Sequence, residues 1–485
     1  MRPPRPRTLE EALRVIEQLL QIIAEQQQRI AALEAKVAAV EEQLRQSSQN
    51  SSRPPSTDPP TVERVPARPP SGRRPGAQPG HEAHARALVP EAQVDHVVPM
   101  RPTHCRGCGA ALRGTDPAPR RQQVTELPVV PPTITEYQWH TLSCAQCGAA
   151  TTVTRPPGVP EGAFGPRLTA TVAVCTGVYH LSKRTTAGLL ADLFGVELAV
   201  GSVTACERVA SAAVATPVVQ AVRHVREQPV IHVDETGWRQ RRQRAWLWVA
   251  ATTLVTVFLV HARRGTGAAR TLLRGSAAIL VTDRWSAYQA WPLARRQLCW
   301  AHLRREWVAF TERGGTAWRV GHALRAETRA IFALWHRVRD GTLSRARFQA
   351  AMRPHRRRVE AWLRRGTACR HAKTAATCRE VLALAPALWT FVDVPGVEPT
   401  NNAAERPLRP AVLWRRKSFG THSAAGSRFA ARLLTVAATL KAQHRNIVDY
   451  VTQACVAALH ESPAPSLLPA SSRVPSSQPI RARTA

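Results

Sequence analysis

The sequence predicts a multidomain α/β protein whose mixed β-sheet is interrupted by a long helical insertion. Three observations lead to this prediction. Residues 9–47 repeat apolar side chains with heptad spacing, two Cys-x-x-Cys-Gly motifs follow further along, and four short apolar runs then precede a long helix-forming stretch. With 485 residues, the chain is long enough for two or three folded units.

The chain is strongly basic. Its 67 Lys and Arg residues outnumber 34 Asp and Glu residues, which gives a formal net charge of +33. So large an excess indicates a polyanionic partner, and DNA is the one we expect. A membrane is the weaker alternative, because no run reaches the roughly 18 apolar residues of a spanning helix and the N-terminus lacks a secretory pattern. We therefore expect a cytoplasmic, nucleoid-associated bacterial protein.

Residues 1–50 are predicted to form a coiled coil that dimerises the chain in parallel. β-branched residues dominate the first core position of the heptad and leucines occur at the second, a combination that favours two parallel strands. A single amphipathic helix packed on its own chain is the alternative interpretation. The two core positions are occupied by Leu9, Ile16, Ile23, Ile30, Val37 and Leu44, and by Ala12, Leu19, Gln26, Leu33 and Val40.

Two segments have too few apolar residues to order themselves. Residues 51–90 are rich in Pro, Ser and Arg, and residues 456–485 end in a similar Pro- and Ser-rich stretch. Because such compositions cannot bury enough apolar surface to offset chain entropy, we predict a disordered linker and a disordered tail.

Residues 91–155 are predicted to be a zinc ribbon. Cys105, Cys108, Cys144 and Cys147 form two Cys-x-x-Cys-Gly motifs, which together can supply four thiolates to one Zn²⁺ ion. The stretches VTELPVV and ITEYQWHTL between the two motifs alternate like strands. A redox dithiol would need a βαβ context, which is missing here. The remaining cysteines are scattered singly, which argues against a disulfide framework.

Residues 156–226 are predicted to be helical. The stretch LLADLFGVELAVGSVTACERV has the outline of a DNA-binding helix-turn-helix whose second helix begins near Ser202. An ordinary helical bundle that leads into the next domain fits the same pattern, and both interpretations remain open.

Residues 227–455 are predicted to be a ribonuclease-H-like core. A β-branched run ends at Asp234, the strands AWLWVAATTL and TVFLVHA follow, and after a helix-like GAARTLLRG a fourth strand, AAILVTDRW, reaches Asp283. In this order the first and fourth strands are neighbours, so the two aspartates would meet at one edge of the sheet. Most of residues 303–395 must then be a helical insertion.

Glu405 is the best candidate for a third acid, on a helix that Thr400 or Asn401 can cap. Carboxylate oxygens suit Mg²⁺ or Mn²⁺, and two such ions about 4 Å apart can activate an attacking oxygen and stabilise a leaving one. A cluster of basic residues follows Glu405, and we expect it to contact phosphates. Its members are Arg406, Arg409, Arg415, Arg416 and Lys417.

The strings HVDETGW, LVTDRWSAY, LCWAHLRREW and NNAAERPLRP resemble, in this order, the transposases of the insertion-sequence-66 family, which carry an Asp-Asp-Glu catalytic core. The resemblance implies that Asp234, Asp283 and Glu405 bind the metals, and that cleavage at the element's ends precedes strand transfer into target DNA. It also implies small accessory proteins as partners. Cys299 and His302 form a Cys-x-x-His pair that recurs in related transposases and implies a structural motif.

Two other functions fit the same residues. One is a ribonuclease-H-like, metal-dependent nuclease without strand transfer, and the other is a non-catalytic, zinc-containing DNA-binding regulator. The sequence does not specify the terminal repeats, the target site, or whether the element is excised or copied.

Overall fold

The computed structural model describes residues 8–47, 49–50 and 87–469. The chain divides into two compact units. The smaller unit comprises Glu63–Thr135 and Ala191–Val196, and the larger unit comprises the rest. Residues 51–86 of the predicted linker and 470–485 of the predicted tail lie outside the described residues.

The predicted coiled-coil segment is one continuous helix, α1 (Leu9–Arg45). A capping box starts it: the Glu11 amide donates to Thr8 Oγ1 at 3.2 Å, and the Thr8 amide donates to Glu11 Oε2 at 3.3 Å. The apolar seam lies open along this helix, with Ile23 and Ile30 each about half exposed. The parallel dimer stays a prediction that this exposed seam favours.

The prediction of strands within residues 91–155 is largely wrong. The stretch VTELPVV is not a strand, and only the end of ITEYQWHTL belongs to one, namely β1 (Thr141–Ser143), which pairs antiparallel with β2 (Ala150–Thr152). The prolines Pro128, Pro131 and Pro132 explain the difference, since proline has no amide to donate to a strand ladder.

Residues 156–226 are helical, as predicted, and contain four helices. The second helix of the predicted helix-turn-helix begins at Val200, two residues before Ser202, and it buries Val203, Cys206 and Ala210 against its own unit. Its outline and its packing are compatible with both interpretations. The helices are α2 (Pro166–Gly177), α3 (Lys183–Phe194), α4 (Val200–Ala213) and α5 (Ala215–Glu227).

A five-stranded mixed sheet follows, in the order β5-β4-β3-β6-β7. The first three strands are antiparallel, whereas β6 and β7 run parallel to β3. The predicted adjacency of the first and fourth strands is confirmed, and the crossover helix α6 lies between β5 and β6 in the chain. The elements are β3 (Val230–Gln240), β4 (Gln243–Ala251), β5 (Thr256–His261), α6 (Thr266–Leu273), β6 (Ile279–Thr282) and β7 (Arg296–Leu298).

Two details of this sheet differ from the sequence prediction. Strand β3 does not end at Asp234 but continues to Gln240, because its second half forms a hairpin with β4. Strand β7 was not predicted, because two of its three residues are Arg296 and Gln297, which are polar yet fully buried.

The insertion is helical, as predicted, and residues 300–395 contain no strand. It has its own apolar core, in which Trp307, Phe310, Trp335, Phe348 and Phe391 are buried. Its helices are α7 (Trp300–Thr311), α8 (Gly315–Arg339), α9 (Arg345–Thr367), α10 (Ala372–Ala383) and α11 (Thr390–Asp393).

Three C-terminal helices complete the unit: α12 (Asn402–Ser418), α13 (Ala424–Ala442) and α14 (Ile447–Leu459). Helices α12 and α13 cover one face of the sheet, where Leu247 and Val249 pack with Leu408 and Leu434. The other face packs against the helices that precede the sheet and those that follow it.

The predicted disordered tail begins too early. Residues 456–459 belong to α14, and Leu467 beyond them is fully buried. The Tyr450 hydroxyl donates to the Pro465 carbonyl at 2.7 Å, and Gln443 donates to the Leu467 carbonyl at 2.9 Å. These two hydrogen bonds and the buried Leu467 side chain hold the segment against the helices, although its composition alone indicates disorder.

No helix of the described residues has both the length and the apolar character needed to cross a membrane.

Candidate active site

The two aspartates lie side by side because of the strand register. In the parallel pairing of β3 with β6, His232 is opposite Val281, so two residues further on Asp234 comes level with Asp283. Paired residues of neighbouring strands share one face of a sheet. For Asp234 this is the face covered by α12, since its partner across β4 is Val249.

Asn401 fixes the start of α12 over this edge of the sheet. It is fully buried, its side-chain amide donates to the Val233 carbonyl at 2.8 Å, and its backbone amide donates to Cys299 Sγ at 3.2 Å. The predicted capping role of its side chain is therefore replaced by a bond to β3. Glu405 lies one turn further along the helix, close enough for its charge to raise the pKa of Asp234.

The carboxylate of Glu405 points toward the insertion. Its Oε1 lies 3.6 Å from His302 Nδ1 and its Oε2 lies 4.0 Å from Arg305. Among the described residues, only Cys299, His302 and Glu405 bring three metal-ligating atoms within 4.8 Å of one another. Asp234, Asp283 and Glu405 are thus neighbours in one site, but they are not drawn together into a closed triad.

The acids of the site repel one another. The pKa of Asp234 is raised well above its ordinary value by burial and by the charges of Glu235, Asp283 and Glu405. Burial also raises the pKa of Asp283, although the Trp285 backbone amide, which donates to Asp283 Oδ1 at 2.8 Å, opposes this shift. Since a nearby cation would favour the charged carboxylates, the donor set fits a hard divalent ion.

Glu235 is a buried acid that the sequence analysis missed. Its side chain points to the opposite face from Asp234, where it accepts bonds from the Tyr288 hydroxyl at 2.5 Å and from Arg264 at 3.0 Å. Arg264 in turn stacks on Trp285, 3.9 Å from the ring centre. The acid directly after Asp234 in DET was the available signal, but nothing local indicated its partners.

Glu235 should make the stability of the metal-free protein depend on pH. Burial and the charge of Asp283 raise its pKa to about 7 from an ordinary 4.5. The folded state therefore holds this proton more tightly than the unfolded state. The stabilisation that the Glu235 proton contributes is fully present below pH 4.5 and is lost as pH rises through about 7.

We expect Glu235→Gln, which mimics the protonated acid, to match the parent near pH 4 and to exceed it by ~1–3 kcal/mol near pH 8. Thermal unfolding in chelator across this range measures the difference. The exposed Glu227→Gln serves as the control, and a Glu235→Gln difference that did not vary with pH would contradict the assignment.

Arg284, next to Asp283, joins the sheet to the insertion. Its guanidinium bonds Glu306 of α7 at 2.9 Å and Glu380 of α10 at 2.5 Å, and its side chain is largely buried. The insertion is therefore tied directly to the residue that follows the second aspartate.

The predicted DNA-contacting residues fall into two groups. Arg415 is half-buried and donates to Thr236 Oγ1 at 3.1 Å and to the Gly237 carbonyl, so it joins α12 to β3. The other four residues are exposed on α12, and their contact with DNA stays a prediction. They are Arg406, Arg409, Arg416 and Lys417.

The end of α12 is joined to the β3–β4 hairpin. Gly420 has a φ of +108°, and a Cβ built there would lie 2.3 Å from the Arg239 carbonyl oxygen. The Thr421 amide donates to that same oxygen at 2.9 Å. Only glycine tolerates this approach, which fixes the helix that carries Glu405 at both of its ends.

Each Cys-x-x-Cys-Gly motif folds into the same knuckle. In the smaller unit, the Gly109 amide donates to the Cys105 carbonyl at 2.9 Å, and amides of Cys108 and Gly107 lower the pKa of Cys105. In the larger unit, the Gly148 amide donates to the Cys144 carbonyl at 2.9 Å, and the pKa of Cys144 is lowered in the same way. The boundary between the units falls between the two motifs, inside the predicted ribbon.

Two buried aspartates at neighbouring strands, with a glutamate on the covering helix, define a mixed α/β protein with an acidic site at a sheet edge. The model of the transposase IS66 family matches residues 161–429, which is more than half of the chain and includes all three acids. The chain belongs to the IS66 family of transposases, and the predicted family is confirmed.

Two further comparisons concern other parts of the chain and its relatives. A family of unknown function matches residues 1–87, which include α1. The uncharacterized protein y4qI of Sinorhizobium fredii is 26% identical in an alignment of 265 positions that covers 48% of this chain and 48% of that relative. The chain thus spans about half the length of the curated relative that it matches.

Proposed function

We propose that this protein is a DNA transposase that binds the ends of an insertion sequence, cleaves phosphodiester bonds there and joins the 3′-hydroxyl ends to target DNA. The observation that carries the proposal is the register that brings Asp234 level with Asp283, with the charge of Glu405 close enough to raise the pKa of Asp234. The strand order, with helices on both faces of the sheet, supports a ribonuclease-H-like core.

The three acids would hold two divalent ions, Mg²⁺ or Mn²⁺. Mutual repulsion between buried carboxylates supports this assignment, since it is relieved by a cation. Such ions activate the attacking water or 3′-hydroxyl and stabilise the leaving oxygen. Glu405 would have to turn its carboxylate from His302 toward the aspartates, a side-chain rotation that leaves α12 in place.

The protein's own residues orient these ligands and the DNA. The Trp285 amide holds Asp283 Oδ1, and the Glu235 amide holds Asp234 Oδ1 at 2.8 Å. Arg406 and Arg409 are exposed within one turn of Glu405, where they would pair with phosphates beside the reacting bond.

The test combines cleavage and joining. A duplex oligonucleotide that carries the element's end is incubated with the protein, Mg²⁺ and supercoiled plasmid, and we expect labelled 3′ ends covalently joined to the plasmid. Released products without joining would favour the nuclease alternative. DNA binding without any cleavage would favour the non-catalytic regulator.

The two cysteine knuckles are proposed to bind zinc together, one ion per chain. The amides around Cys105 and Cys144 lower the pKa of these thiols and so favour the thiolate that zinc requires. Parallel dimerisation through residues 9–47 and binding of accessory proteins from the same element belong to the same proposal.

Cys108→Ser and Cys147→Ser should each remove about one zinc ion per chain, and the double variant should remove no more than either one alone. Bound zinc after dialysis is measured by elemental analysis. Cys369→Ser, outside both motifs, is the control. A single variant that retains as much zinc per chain as the parent would contradict the shared site.

A further inference from the structure

Cys299, His302 and Glu405 form a second group of ligand atoms within the site. We propose that they bind a transition-metal ion such as Zn²⁺, at a position distinct from the hard-cation site but sharing Glu405 with it. Their ligand atoms all lie within 4.8 Å of one another, and His302 Nδ1 is 3.6 Å from Glu405 Oε1. Donors about 2.0–2.3 Å from one tetrahedral zinc ion lie about 3.3–3.8 Å apart, and the separation of His302 from Glu405 falls in this range.

Local structure points these donors at one another. Cys299 immediately precedes α7, and His302 lies in the first turn of that helix. Cys299 comes level with Asp283 when the β6–β7 register is extended by one residue. The Asn401 amide donates to Cys299 Sγ, and amides of Ala301 and His302 also favour the thiolate. Amide bonds to a cysteine sulfur are the usual support of a metal-bound thiolate.

Two of the three donor atoms, His302 Nδ1 and Glu405 Oε1, are buried and lack a hydrogen-bond partner among the described residues. Their separation of 3.6 Å is too long for a hydrogen bond between them. Buried polar atoms left unpaired destabilise the folded state, so a shared ligand would remove two such penalties.

The donor chemistry selects the metal. Thiolate and imidazole favour Zn²⁺, Co²⁺ or Fe²⁺ over Mg²⁺. Burial keeps the His302 imidazole neutral by lowering its pKa to about 3. Burial and the charge of Glu405 keep Cys299 a thiol. Binding therefore releases one proton, from the thiol to solvent, and leaves a dication balanced by a thiolate and a carboxylate. Arg305 and Arg284 lie nearby and oppose the cation.

Occupation of this site would hold Glu405 away from Asp234 and Asp283. A zinc-type ion would then inhibit the Mg²⁺-dependent reaction by competing for one carboxylate. This consequence rests on the proposed function, whereas the binding of the ion does not.

Co²⁺ titration of the full chain tests the binding directly. We expect Cys299→Ser and His302→Gln each to bind about one Co²⁺ fewer than the parent, and Cys299→Ser to lose part of the thiolate-to-cobalt charge-transfer absorption. Cys378→Ser, which changes another fully buried cysteine, is the matched control. Circular dichroism selects variants that remain folded. Equal Co²⁺ content and identical spectra in folded variants would overturn the site.

A second arm adds Zn²⁺ to the Mg²⁺-dependent cleavage assay. The Zn²⁺ concentration for half inhibition should rise at least about 10-fold in Cys299→Ser relative to that in Cys378→Ser. Unchanged inhibition would overturn the competition for Glu405. If Cys299→Ser binds one Co²⁺ fewer than the parent but the parent does not cleave DNA, the proposed function would be overturned and the metal site supported.

Discussion

Asp234→Asn is expected to reduce single-turnover cleavage by at least about 10³-fold, because loss of a proposed metal ligand would remove several kcal/mol of transition-state stabilisation. DNA affinity should change little, since the exposed arginines and lysine are untouched. The metal-free variant should also unfold at a higher temperature than the parent, because the charges of Glu235, Asp283 and Glu405 no longer repel a buried carboxylate at position 234.

Three measurements decide this prediction: cleavage kinetics, DNA binding, and the unfolding temperature with chelator or with Mg²⁺. Mg²⁺ should raise the unfolding temperature of the parent but not that of Asp234→Asn. Asp192→Asn makes the same charge change at an exposed position and should behave as the parent does. Near-parental cleavage by Asp234→Asn would remove Asp234 from the mechanism.

The second large effect is expected in α1. Its seam residues are about half exposed along the single helix, as for Ile23 at 51% and Ile30 at 54%. Burying one such side chain in a dimer contributes about 1.5–3 kcal/mol, and burying a charge there costs more. Ile23→Asp with Ile30→Asp should therefore weaken dimerisation by at least about 10³-fold and give a monomer at micromolar concentration.

Sedimentation equilibrium of the full chain measures this change. Gln21→Asp with Gln28→Asp adds the same two charges on the opposite side of the helix and should leave the dimer intact. A parent chain that is already monomeric would show that α1 does not dimerise the protein. A double seam variant that stays dimeric would place the interface elsewhere.

Much of the fold follows from local pattern. The heptad predicted α1 nearly to its end, and the apolar runs predicted β4, β5 and β6, because periodicity reports directly which side of an element is apolar. Strand β7 and the buried anchor Leu467 escaped prediction. Both depend on burial by distant parts of the chain, and neither has a local apolar pattern.

The candidate site shows the same division. Asp234, Asp283 and Glu405 were identifiable as acids after apolar runs or at a helix start, and the structure makes them neighbours. The partners of Glu235 lie 29 and 53 residues away, so sequence spacing gave no signal for them. The same holds for Asn401, whose side chain was expected to cap its own helix and instead bonds a strand 168 residues away.

By itself, the sequence determined the family, the heptad seam, the cysteine motifs and which acids are candidates for the site, since all of these are local patterns of residue type. Only the tertiary structure decided that Asp234 lies level with Asp283 and that Glu405 faces His302 and Cys299. It also decided that Arg415 donates a hydrogen bond to β3. The physical reason is that register, burial and side-chain direction are set by contacts between segments far apart in the chain.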